Sequence, residues 1–189
     1  MRLLIKVGSQ ITVRADGSVV EERLSALLEV VQTLQSYGHE IALVVSGAVA
    51  AGKGEKQLAT RQGHAARGQW MVSASIARIA VHYDVPLALL LLSREDIVNR
   101  KRYATLRETF DDLLHAGMVP IINENDATTV KDKNDFPDND HLAAILAVTI
   151  NAEHLFLLTN VVGVCSLNPE LCADAELMPV IDNVNIQLL

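Results

Sequence analysis

The residues of this chain that could do chemistry fall into a few short polar clusters: Lys6-Val7-Gly8-Ser9, Ser46-Gly47-Ala48, Asn123-Glu124-Asn125-Asp126, Asp138-Asn139-Asp140 and Thr159-Asn160. A lysine at the end of the apolar run Leu3-Leu4-Ile5, followed by a glycine that lets the backbone come close and by a hydroxyl, suits a phosphate. For that tetrapeptide alone the bland alternative is a lysine snorkelling from a strand end beside a glycine turn. Backbone donors in Ser46-Gly47-Ala48, ahead of a helix, would suit a carboxylate or a phosphate. Short carboxylates and carboxamides such as Asn123 to Asp126 and Asp138 to Asp140 can grip the ammonium group of an amino acid or orient a lysine. At least one residue of Asp138-Asn139-Asp140 is expected to be a helix N-cap, but three in a row exceed what capping needs. With a cation and glycine on one side and carboxylates on the other, a small-molecule kinase is the economical expectation. Neither a Walker-type phosphate loop nor a G-x-G-x-x-G fingerprint is present, and Val45-Ser46-Gly47 lacks the frame of a nucleophile elbow.

The elements that must position these clusters alternate. Residues 3 to 7 read as a buried strand, Glu22 to Tyr37 as an amphipathic helix ended by Gly38, and Ile41 to Val45 as a second strand leading into a glycine-bearing loop with Gly47, Gly52 and Gly54. Ala65 to Tyr83 is a predicted helix, with Asp84-Val85-Pro86 as its breaker before the strand Leu87 to Leu92. Tyr103 to His115 and Asp140 to Asn151 are further predicted helices, followed by the strands Met118 to Ile122 and Leu155 to Thr159. Near-continuous apolar strands separated by helices imply a mainly parallel sheet covered on both faces, a three-layer α/β/α sandwich. In such folds ligands bind beyond the carboxyl ends of the strands, which is where the polar clusters sit. No linker or repeat divides the chain, so residues 1–189 are expected to form a single domain.

Composition narrows the function classes. Half of the 189 residues are hydrophobic and 21% are charged, as in an ordinary globular domain. A net charge of −7 argues against nucleic acid or an anionic membrane as the main partner. The longest apolar run, Val85 to Leu92, is too short to span a bilayer, and no signal peptide is recognisable at the amino end, so a cytoplasmic protein is expected. Cys165 and Cys172 form no zinc pattern and are expected to be reduced thiols. The six histidines are scattered without ligand spacing, and no metal site is expected among them. The mixed-charge stretch Ser93 to Arg102 reads as a solvated helix start or an oligomer contact.

In order along the chain, Lys6-Val-Gly-Ser9, Val45-Ser-Gly-Ala-Val-Ala-Ala-Gly52, Arg67-Gly-Gln69, Leu91-Leu-Ser-Arg-Glu-Asp96, Val119-Pro-Ile-Ile-Asn-Glu-Asn-Asp126, Asp138-Asn-Asp140 and Leu157-Leu-Thr159 resemble the glutamate 5-kinase branch of the amino acid kinase family. The resemblance implies ATP-dependent phosphorylation of L-glutamate on its γ-carboxylate, the first step of proline synthesis. It implies that Lys6 contacts the transferring phosphoryl group, that Gly8 and Ser9 add backbone and hydroxyl donors, and that Thr159 and Asn160 touch the nucleotide. Ser46, Gly47, Ala48, Asp126 and Asn139 would hold glutamate, and Asp140 would orient the catalytic lysine. ATP would come with Mg²⁺ bound mainly through the nucleotide, and the chain is expected to form a homo-oligomer.

Departures from the family pattern accompany the likeness. Thr159-Asn160 stands where the family has Thr-Asp, Pro137 where it has glycine, and Gly163-Val-Cys-Ser-Leu-Asn-Pro169 where it has a Gly-Leu-Tyr element. The family's second glycine-rich loop with its second lysine has no counterpart, which leaves the expected nucleotide-binding half incomplete. From Asn134 to Leu189 there are eight acidic residues and no Lys or Arg. Two other functions therefore stay open beside the kinase: a degenerate module that keeps a glutamate pocket, and a phosphotransferase acting on another small carboxylate.

Overall fold

The computed structural model describes residues 1–53, 58–129, 138–161, 163–167, 172 and 174–181. Gly54 of the glycine-bearing loop, Pro137, and the Asn168-Pro169 element lie outside them. Contacts divide the chain into two compact units, Met1–Leu158 and Thr159–Leu189.

In the first unit the β-branched and leucine-rich runs form strands β1 (Arg2–Val7), β2 (Glu40–Val45), β3 (Leu87–Leu92), β4 (Val119–Glu124) and β5 (His154–Leu158). They join in one sheet in the order β3-β4-β2-β1-β5, and every pairing is parallel. Parallel neighbours require a crossover, and the helices supply it. These are α1 (Ser9–Thr12), α2 (Glu21–Ser36), α3 (Ala48–Gly52), α4 (Arg61–Ala80), α5 (Arg94–Val98), α6 (Arg100–His115) and α7 (Asn139–Thr149). A short 3-10 turn, Val81–Tyr83, ends α4, and Asp84 leaves it in the left-handed conformation with φ of 53°.

Alternate strand residues face opposite layers. Leu3, Ile5 and Val7 of β1, Ile41, Leu43 and Val45 of β2, and Ile121 of β4 pack with α2 and α4. Leu4, Ala42, Val44 and Ile122 pack instead with Leu106 and Phe110 of α6 and Leu142 and Leu146 of α7. The three-layer α/β/α architecture expected from the sequence is therefore the one observed. The central strands β1, β2 and β4 are buried on both faces, whereas Phe156, Leu157 and Leu158 of edge strand β5 are partly exposed.

Differences from the predicted elements are local. Strand β4 runs two residues further than expected, so Asn123 and Glu124 are buried strand residues rather than loop residues. The helices α1, α3 and α5 are too short to show a repeat in the sequence. Helices α3 and α4 meet backbone to backbone at two glycines: a Cβ on Gly68 would fall on the carbonyl oxygen of Ala48, and one on Gly52 would fall on the carbonyl oxygen of His64. At the amino ends of the strands, Arg2 binds Glu40 at 2.8 Å, Asp111 at 2.8 Å and the Ile150 carbonyl oxygen at 2.6 Å, tying β1 to β2, α6 and the end of α7.

In the second unit Cys165 and Leu177 form an antiparallel bridge, flanked by Ser166 N–H donating to Glu176 O at 2.8 Å and Met178 N–H donating to Val164 O at 2.8 Å. Thr159 and Asn160 begin this unit, with the Thr159 hydroxyl 3.5 Å from Asn160 Oδ1.

Candidate functional site

The carboxyl ends of β1, β2 and β4 deliver Lys6, Ser46 and Asn123 to one side of the sheet. Register sets Lys6 opposite Val44 and Val44 opposite Ile122, so the polar residues emerge at nearly the same level. There they open onto a cleft of about 390 Å³ whose walls carry Lys6, Ser9, Ser46, Asp126 and Asn139. Gly47 and Ala48 also line it.

Lys6 is buried, with only 9% of its surface exposed, and its ammonium is ion-paired with the carboxylate of Asp140 at the start of α7. Burying an ammonium is costly unless it is paired, so Asp140 both stabilises the charge and aims it. Two residues after the lysine, a Cβ on Gly8 would lie 3.2 Å from Leu158 O, a tight approach, and 3.8 Å from Lys6 Nζ. Gly8 also donates its own N–H to Leu158 O at 3.0 Å, so that backbone donor serves the sheet rather than the cleft.

The Asp138-Asn139-Asp140 knot divides its labour. Asp138 is the N-cap of α7 and accepts from the N–H groups of Asp140 at 3.0 Å and His141 at 2.9 Å. That uses one residue for capping, as the sequence suggested, and leaves Asn139 to face the cleft and Asp140 to pair with Lys6. Asn139 donates through Nδ2 to Ser46 Oγ at 2.7 Å and to Asn123 Oδ1 at 2.9 Å. Ser46, Asn123 and Asn139, from three different elements, are thereby locked into one arrangement.

Opposite them Asp126, just after β4, pairs with Arg61 at the first turn of α4, at 2.8 Å. Arg61 and Lys53 also line the cleft, and neither figured among the residues expected from the sequence. Nothing in their local pattern marks them, because each reaches the cleft only through the packing of α3 on α4. Three cations, Lys6, Lys53 and Arg61, therefore share a wall with Glu124 and Asp126. Gly47 takes φ of 111°, a conformation glycine tolerates, and a Cβ there would come within 2.9 Å of Val13. It starts α3, whose first-turn amides have no carbonyl partner inside the helix.

Among the described residues no group of three or more His, Cys, Asp or Glu side chains is placed to hold a metal ion. No helix among them is long and apolar enough to cross a membrane. Thr159 and Asn160 belong to the second unit, so the residues brought together in the first are Lys6, Ser9, Ser46, Gly47, Ala48, Asp126, Asn139 and Asp140.

A parallel sheet between two helical layers, with a cleft of mixed charge at the carboxyl ends of its strands, defines a three-layer α/β/α domain, and residues 1–188 match the amino acid kinase family, to which the chain belongs. Its curated relatives include the protein named glutamate 5-kinase of Trichlorobacter lovleyi, 34% identical over 194 residues that take in 99% of this chain and 51% of that protein. The protein of the same name from Gloeobacter violaceus is 37% identical over 195 residues, with 99% and 53% covered. The chain spans about half the length of these relatives. Among solved structures, isopentenyl phosphate kinase superposes with a TM-score of 0.66 at 18% identity, covering 97% of this chain and 81% of that one. The T. acidophilum isopentenyl phosphate kinase gives 0.65 at 16% identity, covering 94% and 78%. These likenesses show the shared fold.

Proposed function

We propose that the chain carries the glutamate-binding and phosphoryl-contacting half of a glutamate 5-kinase, which transfers the γ-phosphoryl group of ATP to the γ-carboxylate of L-glutamate and so begins proline synthesis. The observation that carries this is the buried Lys6 ammonium, held by Asp140, in the same cleft as the interlocked Asn139 and Ser46. A cation for the transferring group thus faces fixed polar groups for an amino acid, and the curated relatives bear the corresponding name.

The chemistry asks little of the protein beyond placement. A γ-carboxylate with a reference pKa of about 4.3 is already ionised at neutral pH, so its attack needs no general base. One carboxylate oxygen forms a new bond to the γ-phosphorus as the bond from that phosphorus to the bridging oxygen breaks, and ADP leaves with the electron pair. Lys6 neutralises charge on the transferring oxygens, Ser9 can donate a hydroxyl to them, and Asp140 keeps the ammonium from turning away. Asn139, Ser46 and Asp126 hold glutamate, with the amides of Gly47 and Ala48 near its carboxylate. Mg²⁺ carried in with the nucleotide supplies further charge neutralisation on the phosphates. Thr159 and Asn160 contact the nucleotide in this proposal.

Hydroxylamine trapping of γ-glutamyl phosphate, with Mg-ATP and L-glutamate, tests the proposal. Hydroxamate that falls by about 10²- to 10³-fold or more in Lys6→Ala, through loss of a transition-state charge partner, would support the reading and show that the chain turns over by itself. Glutamate binding by calorimetry without any hydroxamate would favour the degenerate module, a possibility raised by the absence of Lys and Arg after Lys133. Neither binding nor turnover by a folded chain would overturn the glutamate assignment.

A further inference from the structure

A file of hydrogen-bonded amides leads away from the cleft to a residue that touches none of it. Gln69 on α4 accepts through Oε1 from Asn123 Nδ2 at 2.7 Å and donates through Nε2 to Ser73 Oγ at 3.0 Å. Asn123 then presents Oδ1 to Asn139, whose Nδ2 gives its other hydrogen to Ser46 Oγ. Gln69 reaches this position because Gly68 beside it lets α4 press on the backbone of α3.

A primary amide has a direction: one end only accepts and the other only donates. With Gln69 accepting, Asn123 must offer its oxygen to Asn139, and Asn139 spends both N–H groups inside the protein. What remains for a ligand is an Asn139 Oδ1 that can only accept and a Ser46 hydroxyl whose proton is left to donate. An ammonium group and a carboxylate need that pair. Were the file reversed, Asn139 would offer N–H groups to the ammonium and Ser46 lone pairs to the carboxylate.

We propose that Gln69, by accepting from Asn123, is a positioning residue that sets the direction of the amide file and so matches the cleft to the zwitterionic end of an amino acid. This rests on the glutamate-binding role proposed above. Electrostatic attraction alone does not distinguish the two directions, since Lys6, Lys53 and Arg61 are the same in both. Donor and acceptor sense does, and a buried polar group facing the wrong partner is discriminated against by about tenfold or more.

Three substitutions separate direction from shape. Gln69→Glu keeps an acceptor, Gln69→Leu removes it, and Gln69→Lys replaces it with a donor. Calorimetric affinity for L-glutamate should stay within about threefold of the parent in Gln69→Glu, fall about tenfold in Gln69→Leu and fall further in Gln69→Lys. Equal losses in Gln69→Glu and Gln69→Leu, with all variants folded by circular dichroism, would reduce Gln69 to a packing role and overturn the proposal. So would unchanged affinity in Gln69→Leu and Gln69→Lys.

If the parent chain binds no glutamate, the proposed function fails, and exchange of the Asn139 side-chain amide protons, read by nitrogen-15 NMR, still decides the direction. Slow exchange in the parent and Gln69→Glu but fast exchange in Gln69→Leu supports the file as described. Identical exchange in all three overturns it.

Discussion

At the scale of single residues, the ion pair between Lys6 and Asp140 is the contact on which phosphoryl transfer would depend. Removing the charge but keeping the shape, as in Asp140→Asn, leaves the ammonium without its partner while Asn139 and Ser46 are untouched. The expected outcome is a kcat about 10- to 100-fold lower with KM for glutamate changed by less than about threefold, measured by ADP release. Asp126→Ala, which removes the partner of Arg61 in the cleft, should show the opposite split and raise KM if Asp126 holds glutamate as proposed. The residue types of this site could be read from the chain: the surplus of Asp138-Asn139-Asp140 over capping needs was visible in advance. Which of the three caps was not, since that is settled by the direction in which α7 leaves its first turn. Arg61 and Lys53 could not be foreseen at all, because charged residues at a helix start or loop are ordinarily solvated.

At the scale of elements, the strands were recoverable from apolar runs bounded by Gly and Pro, and α2, α4, α6 and α7 from one-sided spacing. What escaped were α1, α3 and α5, each no longer than five residues, and the polar end of β4. Asn123 and Glu124 continue the strand because their backbones still pair with β3, through Leu91 and Leu92, and side-chain polarity does not report that. The α3–α4 contact yields a stability prediction. Gly68→Ala drives a methyl into the Ala48 carbonyl and should cost about 2–4 kcal/mol, seen as a lower denaturant midpoint. Helix α5 offers a pH-dependent case. Burial alone would raise the Asp96 pKa, but hydrogen bonds from the Ser93 hydroxyl and N–H, and from Arg102, hold it below the ordinary carboxylate value. A depressed folded-state pKa stabilises above the unfolded value near 4 and is lost as pH falls through the folded one. Asp96→Ala should therefore destabilise by about 1 kcal/mol at pH 7 and progressively less as the pH drops below about 4, measured by thermal unfolding across pH.

At the scale of the whole molecule, the first unit is held at two ends of one sheet. Lys6 and its partners organise the carboxyl end, and Arg2, through Glu40, Asp111 and the Ile150 carbonyl, organises the amino end. Arg2→Met should lower stability by about 2 kcal/mol, read from chemical unfolding, yet leave glutamate affinity within about twofold, because the length of β1 separates it from the cleft. Arg2, Leu4 and Lys6 all point to the layer of α6 and α7, while Leu3, Ile5 and Val7 point to the layer of α2 and α4. That alternation has a genetic consequence. Loss or gain of a single codon within β1 would exchange the two sets, turning the ammonium toward the wrong layer and an isoleucine or valine toward Asp140. The reading frame survives such an event but the site does not, so β1 should drift by substitution and resist insertion or deletion.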